Sequence, residues 1–235
     1  MLTQPYRDDG AQPMPDEVYR ALGQYMGGVY ALMAAGLTVS AGAAALVFHD
    51  ARLTAALFSA NGPTVLGWIV LLAPLGLVVT ISAGADRIAP QVAWALFVLY
   101  ALLVGLSLGT VGYAFTGASI SGTLVATAVG FAALGAWGST TRRDLSALGA
   151  FFGIGLIGIV LMMVINLWVR SERLDLSLAA AAIVTFAALT AFDVQRLKRM
   201  YLAGEMRSTV VGALTLYLDF LNIFLSLLRF TGRRR

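Results

Sequence analysis

The sequence predicts an all-α integral membrane protein with seven transmembrane helices, and three observations lead to this fold class. Of the 235 residues, 59% are hydrophobic and only 12% are charged. The mean hydropathy of +0.83 is too high for a soluble domain, which needs more charge to cover its surface. The charged residues also fall into short groups separated by long uncharged runs. A helix rises about 1.5 Å per residue, so about 20 apolar residues cross the hydrocarbon layer, and the uncharged runs reach that length.

Composition also excludes several classes of site. The chain has no cysteine, which excludes disulfides, thiolate metal sites and cysteine nucleophiles. Its one histidine, His49, excludes a histidine-rich metal site and leaves no membrane histidine for a Ser–His pair. The single lysine, Lys198, lies in a basic segment, whereas a retinal Schiff base needs a lysine in mid-membrane. We therefore expect a protein that is not an enzyme and has no cofactor.

The two ends of the chain are polar. Residues 1–24 contain three prolines and charges of both signs, without the basic-then-apolar layout of a signal peptide. We predict a retained N-terminal tail over 1–24, in which 16–24 form a short interfacial helix. The transmembrane domain then covers 25–232, and a basic C-terminal tail covers 233–235.

The first four spans are defined by charged groups and turn signals. The turn signal Asn61-Gly62-Pro63 separates the first span from the second. Residues 88–141 carry no charge and are far too many for one crossing, so the polar, glycine-containing stretch 112–121 is the predicted turn. The predicted spans are residues 25–48, 64–84, 91–111 and 118–138.

The last three spans follow a basic loop at 139–144, in which Asp144 is placed to cap the next helix. Short charged or polar segments at 170–175 and 203–208 separate these spans. The predicted spans are residues 145–168, 176–197 and 209–230. Glycines four residues apart predict close helix contacts of the kind that small residues allow. These pairs are Gly23/Gly27, Gly105/Gly109 and Gly149/Gly153.

The distribution of Lys and Arg predicts a cytoplasmic N-terminus. Most of them lie in the N-terminal tail and in the loops after the second, fourth and sixth spans, and basic residues favour the cytoplasmic side. Seven crossings then place the C-terminus outside, with Arg229 and the terminal arginines on the disfavoured side. A re-entrant seventh segment, with both termini in the cytoplasm, is the alternative. We favour seven crossings.

Asp219 lies near the centre of the seventh span, where an ionised carboxylate needs a partner, a proton or water. Asp193 lies in the sixth span. In an antiparallel hairpin, residues at equal depth are equidistant from the turn, and the midpoint of 193 and 219 is 206, inside the polar turn. We therefore predict that Asp193 and Asp219, called here the diacid, lie at similar depth.

Two carboxyl groups in contact do not both ionise cheaply, so such a pair holds one proton between them. The diacid is thus a proton-sensitive latch, closed with one proton and pushed open when both groups are charged. A purely structural role, with Asp193 reaching to the interface, is the alternative. Asn222 lies on the same helical face as Asp219, although a structural role fits it better. Arg87, at the end of the second span, is either a partner of the diacid or an ordinary interfacial charge.

Four segments resemble one known family. They are TRRDLSALG (141–149), IGIVLMMVINLW (157–168), TAFDVQRLK (190–198) and GALTLYLDFLNIFLSLLRFTG (212–232). These segments closely resemble the Bax inhibitor-1 family, specifically its bacterial membrane proteins. The similarity covers about residues 22–232 and is strongest after Gly105.

The resemblance implies a fold in which helix seven is central and is wrapped by the other six. It also implies a pH-sensitive calcium leak of the bacterial cytoplasmic membrane, gated by two aspartates that match Asp193 and Asp219. An arginine that engages this pair in the family has its match in Arg87. One departure is that the second span, 64–84, lacks the acidic residue that some calcium-leak members carry there.

We therefore expect a pH-sensitive calcium or cation leak channel or transporter, with Asp193 and Asp219 as sensor and ion path. Calcium prefers carboxylate and carbonyl oxygens, and the diacid is the only intramembrane anionic cluster predicted. The alternative is a membrane interaction protein that modulates a membrane-bound AAA protease without transport. The expected partners are the lipid bilayer and a cation, or in the alternative the protease, and not nucleic acid.

Overall fold

Helices form most of the chain in the computed structural model, which describes residues 15–59, 62–84, 88–205 and 208–233. Two short strands, β1 and β2, interrupt the helical order. The helices before and around them are α1 (Asp16–His49), α2 (Ala51–Leu57) and α3 (Val65–Ala83), with β1 at Phe58–Ser59 and β2 at Gly62–Pro63. The remaining helices are α4 (Pro90–Leu108), α5 (Val111–Ala114), α6 (Gly117–Thr140), α7 (Ser146–Val169), α8 (Glu172–Leu202) and α9 (Thr209–Thr231).

Within the described residues, seven helical segments are long and apolar enough to cross a membrane. They are α1, α3, α4 with α5, α6, α7, α8 and α9. The predicted all-α fold with seven transmembrane helices is thereby confirmed. The central position of the seventh span and the side on which the N-terminus lies stay predictions.

The first helix is longer than the sequence predicted. The expected interfacial helix at 16–24 and the first span form one helix, α1, of 34 residues. The segment contains no proline to break it, and Asp16 and Glu17 in its first turn favour a helix N-terminus there. At about 50 Å, α1 is longer than the hydrocarbon layer is thick.

The sixth span is also longer than predicted, because segments expected to be loops lie inside α8. The hydroxyl of Ser171 caps its start by accepting a hydrogen bond from the N–H of Leu174. Glu172 and Asp175 lie in the first turn and Arg199 in the last, where their charges interact favourably with the helix dipole. The basic segment 196–199, including Lys198, is therefore helical.

The connection from the first span to the second has structure that the sequence did not predict. Asp50 caps α2 by accepting hydrogen bonds from the N–H groups of Arg52 and Leu53. After α2, β1 and β2 pair in an antiparallel hairpin with Phe58 opposite Pro63. Gly62 has a φ of 120°, which only glycine adopts easily. The predicted turn is thus present, although Asn61 lies outside the described residues.

The described chain divides into two packed units. The N-terminal unit contains residues 24–117 and 208–217, and the C-terminal unit contains 15–23, 118–205 and 218–233. The helix α9 contributes its first half to one unit and its second half to the other. It is the most buried span, with 61% of its most apolar stretch buried, against 6% in α7.

Close helix contacts hold the N-terminal unit together at Ser40 of α1. A Cβ at Gly105 of α4 would overlap the Ser40 backbone. The Ser40 hydroxyl lies 2.6 Å from the carbonyl oxygen of Ala101, to which it donates, and 2.7 Å from the hydroxyl of Tyr217. Every polar atom in this buried cluster thus has a partner, as buried hydroxyls require.

The predicted glycine contacts are confirmed in part. Gly105 and Gly109 lie against α1, and Gly149 lies against the ring of Phe192. Gly23, Gly27 and Gly153 have no atom within 4 Å of an added Cβ, so the spacing did not identify a contact there.

Candidate functional site

The structure brings Asp193 and Asp219 together within the C-terminal unit. Asp219 is only 4% exposed, and Asp193, on α8, is half-buried. Their carboxyl groups interact directly, within hydrogen-bonding range of each other. The hairpin geometry predicted this meeting from the positions of two residues and one polar turn.

The two carboxyl groups have few other ways to satisfy their charge. The buried Oδ2 atom of Asp219 receives no hydrogen bond from an N–H or hydroxyl group among the described residues. A carboxylate only accepts hydrogen bonds, whereas a protonated carboxyl also donates one. One proton on the diacid therefore lets one group donate to the other, and a second ionisation removes that bond.

One charged neighbour of the diacid was not identified as functional from the sequence. Arg196 lies three residues after Asp193 on α8, is exposed to solvent and interacts with the charge of Asp193. Spacings of three and four residues place side chains on one face of a helix, and this was the available signal. From the sequence, Arg196 counts only among the basic residues after the sixth span that indicate membrane orientation.

The two predicted supporting residues have different outcomes. The side-chain amide of Asn222 donates a hydrogen bond of 2.8 Å to the carbonyl oxygen of Leu218, one turn earlier in α9. The side-chain amide of Asn222 therefore has its hydrogen-bond acceptor within its own helix. Arg87 lies outside the described residues, so its role as a partner of the diacid stays a prediction.

The second half of α9 runs antiparallel to α6. The rings of Phe220 and Phe131 pack edge to face with centroids 5.5 Å apart. Further along, the N–H of Arg233 donates to the hydroxyl of Ser119, near the start of α6, at 2.9 Å. The helix α9 thus continues to the end of α6 opposite the 141–145 loop, a course that favours a full crossing over a re-entrant seventh segment.

The 141–145 loop joins α6 to α7 close to the last turns of α8. The side chain of Gln195 accepts a hydrogen bond from the N–H of Leu145 at 3.0 Å and donates to the carbonyl oxygen of Arg143 at 2.8 Å. Arg199 forms an ion pair of 2.8 Å with Asp144. The loop is therefore bound to the helix that carries Asp193.

Asp144 was predicted to cap α7. The capping position is Leu145, but the Asp144 carboxylate accepts a hydrogen bond of 3.0 Å from the N–H of Ser146 in the first turn. It also accepts one from the hydroxyl of Ser146. The hydrogen bonds from Ser146, together with the guanidinium of Arg199, lower the pKa of Asp144 from its ordinary value.

No group of three or more His, Cys, Asp or Glu side chains that could hold a metal ion occurs within the described residues. What the diacid offers a cation is two carboxyl groups. With both ionised they are hard oxygen ligands of the type that calcium prefers.

Comparison with known proteins identifies the family. The family model described as "Inhibitor of apoptosis-promoting Bax1" matches residues 22–235. The inner membrane protein YbhL of Escherichia coli K12 is 40% identical over 218 residues, which cover 90% of this chain and 92% of YbhL. The protein RP147 of Rickettsia prowazekii is 37% identical over 219 residues, covering 91% of each chain. A membrane protein of Streptococcus pyogenes, SpyM3_0260, is 31% identical over 216 residues, covering 90% and 93%. The similarity thus spans all seven membrane helices, and the chain belongs to the Bax inhibitor-1 family.

Proposed function

We propose that this protein is a passive, proton-regulated leak for calcium or a similar cation, with the diacid as its proton sensor and part of its ion path. One observation carries the proposal: two carboxyl groups interact directly on two helices that are long and apolar enough to cross a membrane. Ionisable groups at such depth are costly and are typical of ion and proton pathways.

The protonation state of the diacid would control opening. With one proton the two carboxyl groups are hydrogen-bonded and α8 and α9 stay together. With both groups ionised the two like charges repel each other, and for unit charges at a separation of about 4 Å the repulsion is about 4 kcal/mol at an effective dielectric constant near 20. Opening is therefore favoured as the pH rises. Arg196 acts on Asp193 from its own helix, and Arg87 is proposed to bias the closed state.

The ligand chemistry fits transit better than tight binding. Calcium takes about 6 to 8 oxygen ligands, whereas two carboxylates supply at most about four. The remaining ligands would come from water or backbone carbonyls, as suits an ion in passage. By similarity to YbhL, whose name places that protein in the inner membrane, we propose the same location, with the N-terminus in the cytoplasm.

The test is calcium flux into dye-loaded proteoliposomes at a series of pH values between about 6 and 8, since a coupled pair of acids loses its protons in two separate steps. Wild type is compared with Asp219→Asn and with Glu172→Gln, an exposed acid of α8, as the matched control. We expect flux that rises with pH in wild type and in the control, and flux independent of pH in Asp219→Asn.

Two results would contradict the proposal. An unchanged pH response in Asp219→Asn would show that the diacid is not the sensor. Flux that is absent at every pH would remove transport, and would favour the alternative of a protein that modulates a membrane-bound protease. Co-purification of such a protease with the full chain would then be the next measurement.

A further inference from the structure

Three side chains in the last turns of α8 bind the connection between α6 and α7. They are Gln195, Lys198 and Arg199, called here the α8 clamp, and their spacing of three and four residues places them on one helical face. The side-chain amide of Gln195 makes two hydrogen bonds to the loop. It accepts one from the N–H of Leu145 and donates one to the carbonyl oxygen of Arg143. It thereby satisfies an N–H at the start of α7 that has no partner within that helix.

The other two members of the clamp bind the two ends of the same connection. The ammonium group of Lys198 donates to the carbonyl oxygen of Ser139, in the last turn of α6. The guanidinium of Arg199 donates to Asp144 at 2.8 Å and to the hydroxyl of Ser146, in the first turn of α7, at 3.1 Å. One face of α8 thus holds the end of α6, the loop and the start of α7.

Two glycines allow close helix contacts next to Asp193. A Cβ at Gly138 of α6 would overlap the backbone of Ala191, and a Cβ at Gly149 of α7 would lie 2.6 Å from the ring of Phe192. The chain is thus held on both sides of Asp193. Before it, Phe192 packs on α7, and after it, Gln195 is hydrogen-bonded to the loop. Packing this close transmits displacement instead of absorbing it.

We infer that Gln195 is a positioning residue that fixes Asp193 on a block formed by α6, α7 and α8, so that the diacid opens by displacement of the Asp219 side. The inference deepens the proposed function and rests on it only where transport is measured. On the Asp219 side, Phe220 meets α6 through an apolar ring contact, which lacks the directional bonds of the clamp.

Among the described residues, few charged groups act on Asp193 besides its partner. From α9 it faces Asp219, and on its own helix it interacts with Arg196. The helices α6 and α7 carry no charged residue. Their connection contributes Arg142, Arg143 and Asp144, and Asp144 is paired with Arg199. A change at Gln195, which is uncharged, therefore acts on Asp193 through its position and not through an added or removed charge.

The variant Gln195→Met tests the inference because methionine keeps the length and helix propensity of glutamine and removes both hydrogen bonds. The matched control is Gln91→Met, the same change at an exposed position in α4. Hydrogen–deuterium exchange of the segment 139–149 in the full chain measures the clamp directly. We expect exchange in this segment to be about fivefold faster in Gln195→Met, since the loss of one hydrogen bond of average strength corresponds to such a change. It should be unchanged in the control.

A second measurement follows the protonated carboxyl of the diacid by its infrared C=O stretch as the pH is varied, which requires no transport. The wild-type band should be absent in Asp219→Asn, which assigns it to the pair. In Gln195→Met we expect the pH midpoint of this band to move by about half a unit or more, because a displaced Asp193 shares its proton differently. The pH profile of calcium flux should shift by the same amount.

The outcomes separate this inference from the proposed function. Unchanged exchange in Gln195→Met would show that the clamp is not formed. Faster exchange with an unchanged infrared midpoint would reduce Gln195 to a purely structural role. A wild-type chain without a titrating band would overturn the shared proton and with it the positioning role. Absent flux, with both other effects present, would refute the leak alone and leave the positioning of Asp193 established.

Discussion

At the scale of single residues, Asp219 carries a cost of burial, because the residue is 4% exposed and its Oδ2 atom has no hydrogen-bond donor among the described residues. Burial of a polar group that lacks a hydrogen bond costs about 1 to 3 kcal/mol. A buried acid that does not stabilise the fold is typical of a functional group, since an apolar side chain at the same position would avoid this cost.

The variant Asp219→Leu should therefore stabilise the protein while removing its pH response. We expect the free energy of unfolding to increase by about 1 to 3 kcal/mol, because leucine removes the cost of burying the carboxyl and its unsatisfied oxygen. Denaturant unfolding in detergent micelles at neutral pH measures this change. A lower stability than that of wild type would mean that Asp219 is a structural hydrogen-bonding group.

The exposed carboxylate of Asp144 gives a pH prediction of known sign. Hydrogen bonds from Ser146 and the guanidinium of Arg199 lower its pKa. A group with a lowered pKa stabilises the folded state above its unfolded pKa, and this stabilisation is lost as the pH falls through the folded pKa. Asp144→Asn should therefore lower the melting temperature at neutral pH, and the difference should shrink as the pH falls below the ordinary pKa of an aspartate, about 3.9.

Thermal unfolding in micelles at neutral pH and in acid tests this prediction, with Glu17→Gln as an exposed control. A difference between Asp144→Asn and wild type that persists in acid would show that the charge of Asp144 is not its source.

The residues of the diacid were predictable because both are acids inside apolar runs, and because one turn between two helices fixes which residues share a depth. Gln195 was not predictable in the same way. An uncharged side chain near a membrane interface gives no signal of its own, and its two partners are backbone groups, which no sequence pattern reveals. The spacing of Arg196 and Asp193 is compatible with their interaction, but basic residues at that position also indicate membrane orientation, so the spacing alone does not single Arg196 out.

At the scale of elements, the contact between α6 and α8 depends on the absence of a side chain at Gly138. Overpacking of a close contact costs about 1 to 3 kcal/mol, and here the overlapping atoms belong to the backbone of Ala191, which does not rotate away. Gly138→Ala should therefore destabilise the protein by about that amount and displace the turn that carries Asp193.

The matched control is Gly130→Ala in the same helix, where an added Cβ meets no atom within 4 Å. Alanine is the better helix former by about 1 kcal/mol, so this variant should be neutral or slightly stabilising. Thermal unfolding of both variants under identical conditions measures the difference. Equal melting temperatures would mean that α6 and α8 do not pack at the distance that the structure shows.

The boundaries of the second span were predicted well and those of the sixth span poorly. The second span was expected at 64–84, and α3 is Val65–Ala83, since Thr64 caps its start. The sixth span was expected at 176–197, but α8 is longer at both ends. Charged residues stop the membrane-buried part of a helix without stopping the helix. The helix α2 and its hairpin were missed because elements this short show no periodicity.

At the scale of the whole molecule, the helical count was set by length and hydropathy, whereas the course of the seventh helix was not. A single apolar segment with charges after it fits a full crossing or a re-entrant one equally well. The contact between Arg233 and Ser119 favours the full crossing, because it joins the end of α9 to the start of α6. The C-terminal end of α9 therefore lies at the opposite end of α6 from the basic loop.

This course predicts where introduced cysteines react, and the absence of native cysteine makes every label specific. Cysteines at Arg233 and Arg142 should be labelled by a membrane-impermeant reagent from opposite sides of the membrane. A cysteine at Arg170, in the connection between α7 and α8, should react from the same side as one at Arg233. The length of α7 separates Arg170 from the basic loop, and the length of α6 separates Arg233 from it. With the N-terminus in the cytoplasm, intact cells should label positions 233 and 170, and inverted vesicles should label position 142. Labelling of positions 233 and 142 from one side would contradict the full crossing. Reversal of all three together would keep the fold and invert the orientation, which would place the end of α8 that carries Asp193 on the outer side of the membrane.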